Sequence, residues 1–246
     1  MLYIATQKGN VLFLILIAVV LFAALAFVVS SSMRSNPGSV SEDKAKLIAT
    51  QMVQFGNTLT NSAMRLIMSN GCTNRNLNFY HSGFARDFTN NDAPADGSCN
   101  IFGPNGASVP AMKPPQGAVP AGTASPNNEY FYVGCMEVWG VGTSGTGEPS
   151  KELLVQAIVT REVCLQINEK MGITNTGGNP PVWDYGVTEV GWCQYGHPIL
   201  GAYQDAIGVG RTDIAGYAPE LYGTSTGCYQ SNADDLYRFY HVVIPR

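Results

Sequence analysis

Residues 11–29 read VLFLILIAVVLFAALAFVV, an unbroken apolar run with no charge, proline, glycine or polar side chain. An α-helix rises about 1.5 Å per residue, so roughly 20 such residues cross a hydrocarbon core of about 30 Å. The run is long enough for one membrane passage, and any soluble part of the chain must begin after it. Lys8 and Gly9 stand in front of it, and Ser30, Ser31, Ser32, Met33 and Arg34 follow it. The predicted layout is a leader over 1–9, a transmembrane helix over 10–33, a break over 34–38, an amphipathic helix over 39–71 and a β-rich globular ectodomain over 72–246.

All six cysteines, Cys72, Cys99, Cys135, Cys164, Cys193 and Cys228, lie beyond that run, and none forms a CxxC pair. Sparse, even-numbered cysteines fit disulfides in an oxidising compartment, while structural zinc sites use close pairs. Sequence neighbourhood suggests the pairs Cys72–Cys99, Cys135–Cys164 and Cys193–Cys228. The positive-inside rule gives no firm orientation, with Lys8 set against Arg34, Lys44 and Lys46. The cysteines decide it: the N-terminus is expected in the cytoplasm and the C-terminal domain outside, on a single-pass protein. Membrane lipid is thus an expected partner. The net charge of −4 gives no basic footprint for nucleic acid, and none is expected to bind.

Past the run, Asn36-Pro37-Gly38 interrupts the helix, because proline lacks a backbone donor and glycine loosens the chain. Ser39 and Glu42 have capping-box spacing and predict a new helix. Its apolar positions Ile48, Met52, Phe55, Leu59, Ala63, Leu66 and Ile67 recur every three or four residues, and Asn70-Gly71 stops it. Residues 72–126 are rich in Asn, Asp, Gly, Ser and Pro and predict loops, with short extended pieces near 77–80 and 100–102. Asp87, Asn90, Asn91, Asp92 and Asp96 supply oxygen atoms of the kind calcium takes, but their spacing departs from an EF-hand and matches ordinary turns. Strands are predicted over 129–141 and 152–159, as an antiparallel hairpin, and over 236–244 as a central strand with two apolar faces. Thr160 and Gly172 bound a short helix over 161–171, expected to cover one side of the sheet. The fold class is α+β: transmembrane helix, amphipathic helix, then a disulfide-stapled antiparallel-sheet domain.

The chemistry of an enzyme is not nominated. His81, His197 and His241 are scattered, and no HExxH or GxSxG occurs. Gly208-Val209-Gly210 is half a dinucleotide fingerprint without strand–helix context, and Asp234-Asp235 reads as a solvated turn. No catalytic residue, cofactor or metal is expected. Trp183, Tyr185, Trp192, Tyr195, Tyr203, Tyr217, Tyr222 and Tyr229 lie among predicted loops, as local core or as surfaces for sugars or partners.

A leader ending in Lys8-Gly9 directly before an apolar helix resembles the prepilin signal of type IV pilins and pseudopilins. The resemblance implies cleavage by a prepilin peptidase between Gly9 and Asn10, and self-association of the apolar helices in a filament core. The sequence departs from the family pattern at Asn10, where an aromatic or Met is preferred, and at Leu14, where major pilins carry a Glu. The implied function is a structural subunit of a bacterial envelope filament or secretion pseudopilus; the alternative is a non-filamentous, signal-anchored binding or adhesion protein. The stretches KGNVLFLILIAVVLFAAL, CNIFGPNG from Cys99, Glu152-Leu153-Leu154, Val163-Cys164 with Ile167-Asn168, and YRFYHVVIPR from Tyr237 are also similar to uncharacterised membrane-anchored proteins of alphaproteobacteria, a likeness that implies an envelope protein and no activity.

Overall fold

The computed structural model describes residues 13, 15–24, 37–142, 152–183, 205–207 and 218–245. The chain divides into two compact units, residues 1–44 and 45–246. In the first, residue 13 and residues 15–24 are α-helical and exposed. The rest of the predicted 10–33 span, and the leader, lie outside the described residues. No described helix is long and apolar enough to cross a membrane.

Helix α1 spans Pro37–Ser69. It begins two residues before the predicted Ser39, because proline is well suited to a first helical turn, where its missing N–H has no intrahelical role. Within the second unit its stripe is buried as the spacing predicts: Ile48, Met52, Phe55, Leu59, Ala63 and Leu66 are all inside. Ile67 is half-buried and packs at the margin.

The sheet has six strands among the described residues: β1 Phe131–Val138, β2 Glu152–Val159, β3 Val182–Trp183, β4 Asp205–Ile207, β5 Thr226–Ser231 and β6 Tyr237–Ile244. Their order is β3-β5-β6-β2-β1-β4. β1 with β2, β2 with β6 and β5 with β6 are antiparallel. The edge pairs β1 with β4 and β3 with β5 are parallel, so the sheet is mixed rather than antiparallel. Strands of two and three residues carry no periodicity, which leaves their pairing to the path of the whole chain.

The central strands are buried on both faces. Leu153, Val155, Ala157 and Val159 of β2 and Phe239 and Val243 of β6 join the core that contains the α1 stripe. Leu154, Ile158, Tyr240 and Val242 join a second core on the opposite face, with Phe131, Val133, Met136, Val138, Trp183 and Leu221. Val133 and Met136 are three apart yet share a face, which a strict two-residue period forbids. A register shift between them supplies the extra residue of a β-bulge. Glu152, fully buried at the start of β2, accepts a 2.7 Å hydrogen bond from the Val138 N–H beyond that bulge.

Helix α2, Arg161–Met171, has the predicted bounds. The Thr160 hydroxyl accepts from the Val163 N–H, and Gly172 closes the helix in the left-handed region at φ 73°. The helix packs on β5 and β6. Its buried Asn168 side chain donates to the Cys228 carbonyl at 3.0 Å and accepts from the Cys228 N–H at 2.9 Å. One amide thus takes the place of a neighbouring strand on β5.

Residues 72–126 are held by buried amides instead of strands. The Asn90 side chain donates to the carbonyls of Arg75 and Leu77, and that of Asn100 donates to the Tyr80 carbonyl and accepts from the Phe102 N–H. A single parallel bridge joins Asn78 to Asn100, within the two predicted extended pieces. A Cβ on Gly106 would lie 1.9 Å from the Asn100 carbonyl oxygen, so only glycine permits this approach. Phe79, Phe84, Phe88 and Phe102 surround Tyr132 of β1, with ring centroids 4.7–6.0 Å away.

Candidate functional site

The features with functional potential are the apolar helical stretch of the first unit, the outward face of α1, and the polar groups buried in the second unit. The first is exposed on every side. Ile15, Leu16, Ile17, Val19, Val20, Leu21 and Phe22 are between 41 % and 75 % exposed. A soluble helix keeps its apolar residues to one stripe; a helix that is apolar all round belongs inside lipid or among other helices. Its chemistry offers contact area and no polar handle.

The outward face of α1 carries a signal that the stripe analysis missed. From Leu47 to Met64 the helix holds no charged residue. Leu47, Gln51, Gln54, Thr58, Asn61, Arg65 and Met68 recur at spacings of three and four and are exposed. Solvent-facing helical surfaces normally carry charge, and depletion of charge marks the centre of protein interfaces. Reading the polar face as closely as the apolar one would have found it.

His241 joins α1 to the sheet. Its Nε2 lies 2.9 Å from the Thr60 hydroxyl of α1 and its Nδ1 2.6 Å from the Thr226 hydroxyl of β5. Neutral imidazole has one donor and one acceptor nitrogen, and each hydroxyl can take the complementary role. The ring presses on α1 where a Cβ on Gly56 would meet His241 Cγ at 2.5 Å. Burial lowers its pKa to about 4. This is a packed, structural role. His81 caps its own loop, its Nδ1 accepting from the Gly83 N–H at 3.0 Å, and His197 lies outside the described residues.

Other polar candidates resolve into structure. Asp87 accepts from the Thr89 N–H, Asp96 from the Ser98 N–H, and Asn90 from the Asp92 N–H, so the oxygen-rich cluster forms Asx turns. Among the described residues no group of three His, Cys, Asp or Glu side chains is placed to hold a metal. Asp234 departs from the solvated-turn expectation: it takes two hydrogen bonds from Arg238, at 2.8 and 2.5 Å. Burial opposes its ionisation, but the Arg238 hydrogen bond and charge outweigh this and lower its pKa. Glu129, also buried, accepts from the Ala85 N–H and pairs with Lys113 at 2.9 Å.

Two disulfides are defined. Cys72–Cys99 has the predicted partners, with Cα atoms 5.8 Å apart. Cys164–Cys228, with Cα atoms 5.3 Å apart across 64 positions, overturns both Cys135–Cys164 and Cys193–Cys228. Sequence neighbourhood fails there because α2 lies on β5, which brings Cys164 to Cys228, while Cys135 belongs to β1 near the other side of the sheet. Cys193, Gly9, Asn10 and Gly208-Val209-Gly210 lie outside the described residues. Of the aromatics, Trp183 and Tyr229 are core, with centroids 5.1 Å apart, and Tyr222 is exposed. Tyr185, Trp192, Tyr195, Tyr203 and Tyr217 lie outside the described residues.

Comparison with protein-family models, with curated proteins and with solved structures found no match.

Proposed function

We propose that this protein is a pilin-like or pseudopilin-like structural subunit of a bacterial envelope filament or secretion pseudopilus, anchored in the inner membrane before assembly. The observation that carries the reading is the apolar run behind Lys8-Gly9, whose described part is helical and exposed all round. Such a helix needs an apolar medium, and lipid and a bundle of like helices both supply one. The outward face of α1, uncharged from Leu47 to Met64, supports the same reading, since copies meeting along that stretch bring no like charges together. Leu14 in place of a glutamate favours a minor subunit over a major one, because a buried N-terminal amine without a carboxylate is costly.

The test is the N-terminus of protein purified from membranes of a bacterium that carries a prepilin peptidase. Mass spectrometry is expected to find Asn10 as the first residue and to find Met1 retained when the peptidase is deleted. An intact Met1 in both strains would end the processed-subunit reading and leave a signal-anchored binding protein.

A further inference from the structure

We propose that Asn70-Gly71, at the end of α1, is a site of spontaneous deamidation, which turns Asn70 into an aspartyl or isoaspartyl residue and unties the helix end from the loop at Ser98. The reaction needs an asparagine whose side-chain amide can be reached by the backbone nitrogen of the next residue, and glycine crowds that approach least. Asn-Gly occurs twice in the chain, at Asn70-Gly71 and at Asn105-Gly106. The dipeptide is the same, and the fold treats the two differently.

Both asparagines are exposed, and each side-chain amide donates to a carbonyl at 2.8 Å, Asn70 to Ser98 and Asn105 to Asp96. The glycines separate them. The Gly106 N–H is engaged by the Gly103 carbonyl at 3.1 Å, and the N–H groups of Ala107, Ser108 and Val109 are bonded in turn to Asn100, Gly103 and Ile101. The place of a Cβ on Gly106 lies 1.9 Å from the Asn100 carbonyl oxygen, whereas nothing comes within 4 Å of the same place on Gly71. The Leu66 carbonyl accepts from Asn70 and Cys72 on either side, but the Gly71 N–H donates to no backbone carbonyl among the described residues. Gly71, at φ 67°, is the nitrogen with room to turn on its neighbour.

The chemistry is an internal acyl transfer followed by hydrolysis. The Gly71 nitrogen loses its proton to solvent and bonds to Asn70 Cγ. The bond from Cγ to Nδ2 breaks, and Nδ2 leaves as ammonia with a proton taken from water. Water then opens the cyclic imide. Attack at Cγ restores the main chain with an aspartate side chain, and attack at the Asn70 main-chain carbonyl carbon leaves the chain running through Cγ as isoaspartate. One water is consumed, one ammonia is released, and no oxidant is needed. Either product sets a carboxylate where a donor faced the Ser98 carbonyl, at the helix end that already carries partial negative charge.

The test is storage of the full chain in mild detergent at mildly alkaline pH, followed by reduction, digestion and mass spectrometry of the peptides that hold each dipeptide. The folded protein is expected to convert Asn70 at least about tenfold faster than Asn105, since holding one N–H in a hydrogen bond is alone worth close to that in rate. In denaturant the two should convert at nearly equal rates. Equal rates in the folded protein, or conversion of Asn70 only after unfolding, would overturn the proposal, as would a gap of the same size in denaturant. The variant N70D carries the aspartyl product from the start. It should melt about 2–4 °C below the parent, the shift that one lost hydrogen bond gives in a domain of this size. An unchanged midpoint would overturn the untying of the helix end.

Discussion

Two helical regions of this chain solve opposite problems. In residues 15–24 every side is apolar and exposed. In α1 the apolar residues form one stripe, buried except for half-buried Ile67 in a core shared with β1, β2 and β6, and the other side carries mostly amides and hydroxyls. The difference shows which surroundings each was built for. The stripe of α1 is satisfied within its own subunit, whereas the 15–24 stretch has nothing within its own sequence that distinguishes an inside from an outside. Stability of the globular unit should therefore be sensitive to α1 and indifferent to the apolar stretch.

The strongest way to break that contrast is a pair of matched truncations. Leu59 is fully buried and Leu21 is 64 % exposed. Leu59→Ala should destabilise the globular unit by about 2–5 kcal/mol, from lost transfer energy and the cavity left behind. Leu21→Ala should leave its unfolding unchanged to within about 0.5 kcal/mol. Chemical denaturation in mild detergent, followed by tryptophan fluorescence, reads both; equal effects would show that the two helices are not different in kind.

Acid should loosen the α1 contact next. His241 has a pKa near 4 in the fold against about 6.5 when exposed. Above pH 6.5 both states are neutral at this group and stability does not vary through it. Between 6.5 and 4 the unfolded chain takes up a proton that the folded protein refuses, so stability falls as the pH is lowered, by about 3 kcal/mol over the window. Below 4 the contribution is flat. The groups that meet the ring, Gly56, Thr60 and Thr226, carry no charge to offset the effect. H241Q, measured by denaturation at pH 7 and pH 4.5, should remove most of this slope. The Asp234–Arg238 pair acts in a separate window, because a lowered carboxylate pKa supplies stability that is lost only as the pH falls below the usual carboxylate range.

Thr60→Val sharpens the same contact at constant shape. It removes the hydroxyl beside His241 Nε2 and leaves a buried ring nitrogen without that partner, at a cost of about 1–3 kcal/mol. Unfolding midpoints at pH 7 measure it. A variant as stable as the parent would mean that packing against Gly56, and not the hydrogen bonds, holds α1 to the sheet.

What the sequence made legible follows from how local each signal is. Thr160 and Gly172 bound α2, and the apolar run of β2 fixed that strand to the residue, because caps and periods are written within a few positions. The Asn70-Gly71 stop and the α1 stripe belong to the same class. The partner of Cys164 was not legible, since it depends on α2 lying across β5, and neither were the parallel edge strands. His241 was readable as a strand residue but not as bound to Thr60, 181 positions away. The uncharged stretch of α1's outer face, from Leu47 to Met64, was present in the sequence and lay on the side of the helix that a core-directed reading passes over.

That outer face supplies the smallest effect on stability and the most direct reading of α1's second role. Gln54 and Met68 are exposed, and neither contributes to the buried cores. Gln54→Lys and Met68→Lys should each change stability by less than about 0.5 kcal/mol, as exposed substitutions outside the core do, and a lysine suits the last turn of a helix. If copies of the chain pack through this face, the double variant places like charges at the contact, where charge is otherwise depleted, and self-association should weaken. Chemical cross-linking of membrane-embedded protein, compared between the parent and the double variant, reads the change. Parent-like cross-linking in Gln54→Met with Met68→Gln would point to electrostatic repulsion as the cause, because the same positions are changed with no charge added. Unchanged cross-linking in every variant would confine α1 to its buried stripe, and assembly would then rest on residues 11–29 alone.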